Sequence, residues 1–326
     1  MRQISLILFG TIATVFGQIE TPTLGLVPDN GVLRKMSGIP AAGSIGAPLA
    51  SSSPLGIIEI SPAREISPAQ SFALATDSVN GVVMLLRIAG NSLAVSATPI
   101  EGITTRTGKI VFSPNGKTAA LWQSEKRTLD VLTGLPDTIR VRSVPAGSWG
   151  GAPLSFAVSD DGSWLAGAWP SGVFAFGPGG EVNLLPSAGT PQAVAFFHGR
   201  PDVAIMTDTQ VLTLTHTSND LITTELWHKP ADMPADAAQI ATGLALSADN
   251  QRLTITGSAG GIYTIDLSNR TGTYSVCDCK TTGLAGLGGT LYRISSLENG
   301  SLKLYDAATG DVLFVPIANG TEGGQQ

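Results

Sequence analysis

Cys277 and Cys279 are the two cysteines of the chain, and with the single aspartate between them they form the most distinctive local pattern in the sequence. In a straight strand, residues i and i+2 have Cα atoms about 6.5 Å apart, near the upper limit for a disulfide. A disulfide therefore requires the chain to turn here, and segment 280–283 (KTTG) has the composition of a turn. Three chemistries stay open: a local disulfide, a pair of free thiols, or a two-thiolate metal site, which lacks further ligands in the sequence.

The three histidines of the chain, His198, His216 and His228, fall within one stretch of the sequence. Histidine nitrogens are common metal ligands. These three, however, occupy different positions along a single repeat unit, the fourth of those described below, so we do not expect them to share an ion. We predict neither a metal site nor a cofactor.

Serine and carboxylate patterns for hydrolysis are weak in this sequence. The segments nearest to a Gly-x-Ser-x-Gly nucleophile elbow, 42–46 and 146–150, lie in loops without the strand–turn–helix context that exposes the serine. Asp160 and Asp161 are neighbours in a turn, where capping of the backbone explains them better than acid–base catalysis. We predict no catalytic residue. A polar rim for ligand binding is a separate prediction, with four candidates: Asp77, Arg87, Arg127 and Asp208.

Charge and composition exclude two further classes of protein. The chain carries 19 Lys plus Arg against 25 Asp plus Glu, a formal net charge of −6, so we expect no basic patch for nucleic acid. Hydrophobic residues make up 43% and charged residues 13%, which excludes a disordered chain. The 39 glycines indicate many short strands joined by tight turns.

The first 17 residues have the features of a signal peptide. Arg2 is followed by a mostly apolar run over 4–16, and Val15 and Gly17 precede a cleavage position between Gly17 and Gln18. The run is too short to span a membrane, and no later stretch is long enough. We therefore expect an exported protein, periplasmic or extracellular, that is soluble after cleavage and has no membrane span.

The rest of the sequence repeats a turn that is followed by an apolar strand. Six copies can be recognised, beginning at Ser67, Ser113, Ser159, His198, Ser247 and Gly286. The first three are spaced by 46 residues, and Ser247 follows after two lengths of 44. A second marker, D-x-x-T-G, occurs at 130–134 and again four repeat lengths later at 306–310. Four antiparallel strands in about 44 residues are typical of a β-propeller blade.

We predict an all-β fold, a β-propeller of four-stranded antiparallel blades with six complete units over 56–318. Upstream, 23–36 has the pattern of a hairpin, which we interpret as third and fourth strands that either complete a partial seventh blade or cap the ring. The ring therefore has six or seven blades. The N-terminal region, 18–55, consists of this hairpin and an Ala-, Gly-, Ser- and Pro-rich linker over 39–55. Residues 319–326 form a flexible tail.

The turns SPNG at 113–116 and SDDG at 159–162, with the D-x-x-T-G segments, resemble those of the YVTN and TolB-like propeller families and, more distantly, WD repeats. Cys277 and Cys279, followed by a Gly-Leu stretch and a last blade with FVP at 314–316, are also similar to secreted bacterial propellers. The Gly-His and Trp-Asp pairs of WD repeats are missing. The resemblance implies a propeller fold and no particular activity.

Two classes of function follow. The first is an exported, non-enzymatic scaffold that presents rim loops to a protein, peptide or glycan. The alternative is a propeller-type hydrolase or lactonase with its site in the axial channel. The first strands of the repeats, which line such a channel, are almost wholly apolar, and an enzyme would place acids, histidines or arginines there. This favours the scaffold, which we expect to be a monomer.

Overall fold

The computed structural model describes residues 22–29, 32–49, 55–60, 72–77, 81–88, 95–103, 107–180, 182–185, 187, 189–216, 221–229, 241–297 and 301–318. In these ranges the chain forms 27 strands and two 3-10 helices, Pro40–Ala42 and Gly147–Trp149. The strands make one three-stranded and six four-stranded antiparallel sheets. No helix in the described ranges is long and apolar enough to cross a membrane.

Each sheet is one blade of a seven-bladed β-propeller, and the six repeat units of the sequence are blades 2 to 7. Blade 1 consists of β1 (Thr23–Asp29), β2 (Val32–Ser37) and β3 (Ser44–Pro48). Blade 2 consists of β4 (Leu55–Ile60), β5 (Phe72–Asp77), β6 (Val83–Ile88) and β7 (Val95–Pro99). Blade 3 consists of β8 (Thr107–Phe112), β9 (Thr118–Gln123), β10 (Thr128–Thr133) and β11 (Arg140–Pro145).

The remaining four blades repeat this order from the axis outward. Blade 4 consists of β12 (Ser155–Val158), β13 (Leu165–Trp169), β14 (Gly172–Phe176) and β15 (Val182–Leu185). Blade 5 consists of β16 (Pro191–Phe196), β17 (Val203–Thr207), β18 (Gln210–His216) and β19 (Leu221–His228). Blade 6 consists of β20 (Ala241–Leu246), β21 (Arg252–Gly257), β22 (Gly261–Asp266) and β23 (Thr271–Val276). Blade 7 consists of β24 (Ala285–Gly288), β25 (Leu291–Arg293), β26 (Leu302–Asp306) and β27 (Asp311–Val315).

The hydrophobic core is divided among the interfaces between blades. In the described part of the chain, seven buried clusters lie one at each interface of the ring. Side chains alternate along a strand, so each strand serves two interfaces. In β9, Ala119 and Leu121 pack with blade 2, whereas Ala120 and Trp122 pack with blade 4. All six residues of β9 are buried for this reason.

Blades 1 and 7 close the ring. Met36 and Ile45 of blade 1 pack with Leu304 of blade 7 in one buried cluster. The end of the chain then runs parallel to β3: Ile45 N donates to Pro316 O (3.0 Å), and Ala318 N donates to Ile45 O (2.9 Å). The prediction of an all-β propeller with six or seven blades is confirmed, and the number is seven.

The N-terminal region differs from the prediction in two respects. The hairpin within 23–36 forms the first and second strands of blade 1, because β1 lies beside β4, the first strand of blade 2. The interpretation as third and fourth strands was wrong. The segment 39–55, predicted as a linker, contains β3, which lies between β2 and the chain end. The predicted signal peptide, 1–17, and the tail, 319–326, lie outside the described residues.

The two D-x-x-T-G segments occupy different positions in their blades. Asp306 ends β26, and its Oδ1 accepts from Ala308 N (2.9 Å), as a hairpin turn requires. Asp130 instead lies inside β10, where it is 3% exposed and accepts from Ser143 Oγ (2.5 Å). The hairpin turn of blade 3 follows later, at 134–139. The equal spacing of the two markers therefore does not reflect equal positions in the blade.

Candidate binding surface

The antiparallel order of the strands places the connections of every blade at two opposite ends of the ring. We call turn face the end formed by the first-to-second and third-to-fourth connections, which include 113–117, 159–164, 197–202, 247–251, 267–270 and 307–310. We call loop face the end formed by the second-to-third and blade-to-blade connections, which include 124–127, 146–154, 208–209, 258–260 and 277–284. The two faces differ in how their polar side chains are used.

The turn face is built from a Ser-x-Asp/Asn motif that satisfies its own hydrogen bonds. Ser159 is buried; its Oγ donates to Asp161 Oδ1 (2.6 Å) and accepts from Trp164 N (2.9 Å). The equivalent contacts in blades 3 and 6 involve Ser113 with Asn115 and Thr118, and Ser247 with Asp249 and Arg252. The repeated serine of the sequence is thus a local cap that begins each second strand.

These hydrogen bonds stabilise the charged form of the capping carboxylates. Bonds from Ser247 Oγ and Gln251 N lower the pKa of Asp249 below its usual value. Partial burial raises the pKa of Asp161, but the bonds from Ser159 and Ser163 outweigh burial, and the pKa of Asp161 is lowered. A carboxylate that the fold holds ionised is a structural cap and a poor general acid.

Asp160 and Asn250 join the turns of neighbouring blades. Asp160 of blade 4 accepts from Asn115 N of blade 3 (Oδ1, 2.7 Å) and from Gly199 N of blade 5 (Oδ2, 2.6 Å). Asn250 of blade 6 accepts from His198 N (2.8 Å) and donates to His198 O (3.0 Å). Polar side chains therefore connect four consecutive blades along the turn face.

The outer turns of this face are used in the same way. Asp266 Oδ1 accepts from Ser268 Oγ (2.6 Å) and Ser268 N (2.8 Å), and these bonds lower the pKa of Asp266. Arg87 of blade 2 donates to Asp137 Oδ1 (3.1 Å) and Pro136 O (2.8 Å) in blade 3. Asp266, Arg87 and Asp137 of these turns are therefore occupied by contacts within the fold.

The loop face carries charged side chains that the fold does not engage. In the turn 124–127, Glu125 and Arg127 are exposed, and neither side chain bonds or pairs with another described residue. Arg127 has a φ of 52°, a left-handed conformation that costs a long side chain energy. Ala146 N donates to Arg127 O (2.9 Å), which holds this turn against the connection to blade 4.

Cys277 and Cys279 form a disulfide in the connection between blades 6 and 7, with their Cα atoms 5.0 Å apart. The chain bends at Asp278 and Cys279, directly after Cys277 N donates to Gly260 O (2.8 Å) in the neighbouring turn. Lys303 Nζ of blade 7 donates to Asp278 O (2.7 Å), which ties the disulfide turn to the next blade.

Asp278 and Lys280 lie in the same connection, and both are exposed. Their side chains have no hydrogen bond or ion pair with any other residue that the structure describes. The loop face thus presents unengaged charges of both signs from two different blades.

The predicted rim residues lie on both faces. Asp77, Arg127 and Asp208 occupy second-to-third turns of blades 2, 3 and 5, so they share the loop face. Asp208 Oδ1 accepts from Thr190 N (2.9 Å). Arg87 lies on the opposite face, so the structure does not bring the four residues together. Sequence analysis missed Glu125 beside Arg127, although the charged turn SEKR at 124–127 was a usable signal.

The first strands carry few charged groups toward the axial channel. Asp29 is paired with Arg34 Nε (2.6 Å), and Lys109 is exposed with its Nζ 5.8 Å from the ring centre of Phe156. The side chain of Glu59 lies outside the described residues. The described first strands do not bring together the two acids or histidines that a hydrolase or lactonase would need.

The described histidine side chains, those of His198 and His228, lie at two different places in blade 5. His198 Nε2 lies 3.4 Å from Leu246 O on the turn face, and His228 Nδ1 lies 3.9 Å from Glu225 on an outer strand. The side chain of His216 is outside the described residues. No group of three or more His, Cys, Asp or Glu in the described ranges is arranged to hold a metal ion.

Comparison with known proteins supports the fold and leaves the activity open. No protein-family model matches the chain, and no curated protein matches it. Solved structures do match, among them the crystal structure of Sqt1 from Saccharomyces cerevisiae, a WD40 protein, with a TM-score of 0.55 and 10% identity. The match covers 91% of this chain and 86% of Sqt1. At this identity the likeness shows a propeller fold, and membership of the YVTN or TolB-like families stays a prediction.

Proposed function

We propose that this chain is an exported, non-enzymatic β-propeller that binds a protein partner through its loop face. The contrast between two exposed acidic turns supports this. Asp160 on the turn face holds two backbone N–H groups of neighbouring blades. Glu125 on the loop face has no partner among the described residues. Exposed charges that stabilise nothing in the fold are available for a ligand.

The arrangement of these charges favours a protein over a peptide or glycan ligand. Glu125 and Arg127 belong to blade 3, whereas Asp278 and Lys280 belong to the connection between blades 6 and 7. A partner that contacts all four must span the ring. Each pair consists of one acidic and one basic side chain. A polyanion or a polycation would therefore be repelled by one member of each pair as strongly as it is attracted by the other.

A pair of charge-swap variants tests the proposal. The loop-face variant combines Glu125→Lys with Arg127→Glu. The matched control on the turn face combines Lys117→Glu with Asp311→Lys; both positions are exposed and without a side-chain partner among the described residues. Neither double variant changes the net charge. The tagged chain is used to capture proteins from the exported fraction of its source cells, and each captured protein is quantified.

We expect one captured protein to fall about tenfold with the loop-face variant, because swapped charges replace attraction by repulsion. The same protein should be retained by the turn-face control. Equal capture by both variants, or loss with the control alone, would refute binding through the loop face. Export is tested separately: the chain recovered from that fraction should begin at Gln18, and an intact N-terminus would contradict cleavage after Gly17.

A further inference from the structure

The disulfide between Cys277 and Cys279 closes a loop with a single residue between its ends. In the chain-entropy model a disulfide stabilises a fold less as its loop becomes shorter. Reduction of such a bridge costs the fold little, so an external thiol opens it more readily than a bridge that closes a long loop. The size of this loop therefore points to a bridge that opens while the protein stays folded.

The two cysteines of the bridge differ in their access to solvent. Cys277 is 3% exposed and packs in the buried cluster that includes Ile262 and Tyr305. Cys279 lies at the border of that cluster and is partly exposed. A thiolate that approaches from solvent therefore reaches Cys279, and the sulfur of Cys277 is the one that it displaces.

The charged groups of this turn favour a thiolate at Cys279. Lys280, the next residue, is exposed, and Lys303 Nζ donates to Asp278 O (2.7 Å) between the two cysteines. The carboxylate of Asp278 is the single negative charge of segment 277–283. The two ammonium groups outnumber this carboxylate, and a nearby positive charge stabilises a thiolate relative to the thiol.

The backbone beside the bridge is held by contacts that do not involve sulfur. Cys277 N donates to Gly260 O (2.8 Å) in the neighbouring turn. Thr281 Oγ1 donates to Gly257 O (2.6 Å). A Cβ atom at Gly260 would collide with the carbonyl oxygens of Cys277 and Cys279, so both residues lie against that glycine. After reduction these contacts keep the two thiols within reach of each other.

We propose that Cys277 and Cys279 form a reversible thiol–disulfide exchange site, in which Cys279 reacts with low-molecular-weight thiols. A thiolate attacks Cys279 Sγ, and a bond to this sulfur forms as the bond between the two cysteines breaks. The electron pair of the broken bond stays on Cys277 Sγ, which takes a proton from water. A second thiolate attacks the external sulfur of the mixed disulfide, and Cys279 leaves and is protonated. The chain thus gains two electrons and two protons, and two external thiols become one disulfide.

In the reverse direction Cys277 is the resolving cysteine. The thiolate of Cys279 attacks an external disulfide, and Cys277 Sγ then displaces the external thiol from the mixed disulfide. The Cα atoms of the two cysteines are 5.0 Å apart, within the range of bridged pairs. The exchange changes the redox state of the chain itself and is independent of the proposed function, because no step requires a partner at the loop face.

Titration of the purified chain with mixtures of reduced and oxidised glutathione tests the proposal. Free thiols are blocked with iodoacetamide, and the mass of the chain gives the fractions of disulfide, mixed disulfide and dithiol. We expect reduced glutathione to open the bridge with the circular dichroism spectrum unchanged, and oxidised glutathione to restore it. A bridge that glutathione opens only after urea has unfolded the chain would overturn the proposal, and so would a dithiol that oxidised glutathione does not close.

Single variants test the roles of the two sulfurs. Cys277→Ser leaves Cys279 as the only thiol, whereas Cys279→Ser leaves the buried Cys277. We expect oxidised glutathione to form a mixed disulfide about 100-fold faster with Cys277→Ser, because the fold shields Cys277 from solvent. In urea the two variants should react at similar rates. Similar rates in the folded variants, or a faster reaction of Cys279→Ser, would overturn the assignment of Cys279 as the exchanging sulfur.

Gly260→Ala tests whether the neighbouring turn holds the two thiols together. The added methyl group displaces the carbonyls of both cysteines, so we expect about tenfold more dithiol relative to disulfide at a given glutathione ratio. Gly151→Ala is the matched control: this glycine is also on the loop face, its φ of 81° is close to the 89° of Gly260, and a Cβ atom there meets nothing within 4 Å. A titration that Gly260→Ala leaves unchanged, or that Gly151→Ala shifts equally, would contradict the proposed holding of the two thiols by the fold.

Discussion

The turn face and the loop face of this propeller contain similar residues and use them differently. On the turn face, Asp160 and Asp161 accept hydrogen bonds from backbone or serine groups of three blades. On the loop face, Glu125 and Asp278 are exposed, and their carboxylates bond to no other described residue. A polar rim is therefore informative about binding only after the hydrogen bonds of each side chain have been assigned.

The comparison also separates stability from recognition. Substitutions of the capping and bridging groups of the turn face, such as Asp160 and Asp161, should unfold the ring more easily, since these groups join strands or blades. Substitutions at exposed charges of the loop face should leave stability unchanged.

Gly134→Ala and Gly151→Ala compare one glycine from each face. Both have a positive φ, 77° and 81°. A Cβ atom at Gly134 would collide with the backbone carbonyl of Thr138, whereas one at Gly151 meets nothing within 4 Å. We expect the free energy of unfolding to fall by about 3 kcal/mol for Gly134→Ala and by about 1 kcal/mol for Gly151→Ala, as measured by urea denaturation. Equal losses would show that steric contact on the turn face matters less than the backbone conformation.

Asp160→Ala removes the acceptor that joins blades 3, 4 and 5. We expect a loss of about 2 kcal/mol, because two backbone N–H groups lose a charged acceptor at a partly exposed site. Glu125→Ala is the matched loop-face control and should change stability by less than about 0.5 kcal/mol. Chemical denaturation of both variants measures the difference. A control as damaging as Asp160→Ala would contradict the division between the faces.

The sequence was sufficient to predict the blades and insufficient to predict the closure of the ring. The serine caps could be recognised in the sequence because each serine bonds to residues close to it along the chain. These caps are Ser113, Ser159 and Ser247. Strand β3 has no such signal, since Ser44–Pro48 is poor in strand-forming residues and is paired in part with the far end of the chain. Long-range pairing leaves no trace in a short window of sequence.

The candidate surface was predicted only in part. Of the four predicted rim residues, Asp77, Arg127 and Asp208 lie on the loop face. Arg87 lies on the other face, where it pairs with Asp137. The face on which a residue lies depends on whether its strand is the first, second, third or fourth of the blade. The polarity of the residue does not indicate this. The engagement of Asp160 by two neighbouring blades was likewise invisible, because both partners are backbone groups.

Replacing Cys277 and Cys279 together by serine should lower the free energy of unfolding by less than Asp160→Ala does. The effect should be confined to the loop face. The disulfide closes a very short loop, so its removal should lower the free energy of unfolding by about 1.5 kcal/mol. Hydrogen exchange should accelerate over 277–284 and stay unchanged at 159–164. Acceleration on the turn face would show that the two ends of the ring are not independent.

Lowering the pH should reduce the stability of the turn face selectively. This is the smallest of the four expected effects on stability. The folded chain lowers the pKa of Asp249 and of Asp161, so their contribution is present above the unfolded pKa and is lost as pH falls through the folded value. Asp249→Asn should therefore be less stable than the unmodified chain at neutral pH, and the two should converge below about pH 4. Thermal denaturation across this range measures it, and a difference independent of pH would contradict the assignment.

Hydrogen exchange of the chain with and without the partner captured by the loop-face experiment tests the central claim most directly. We predict slower exchange at 124–127 and 277–284 in the complex, with no change at 113–117 and 159–164. Protection confined to the turn face would contradict the account, because the polar groups there would then serve recognition in addition to the fold.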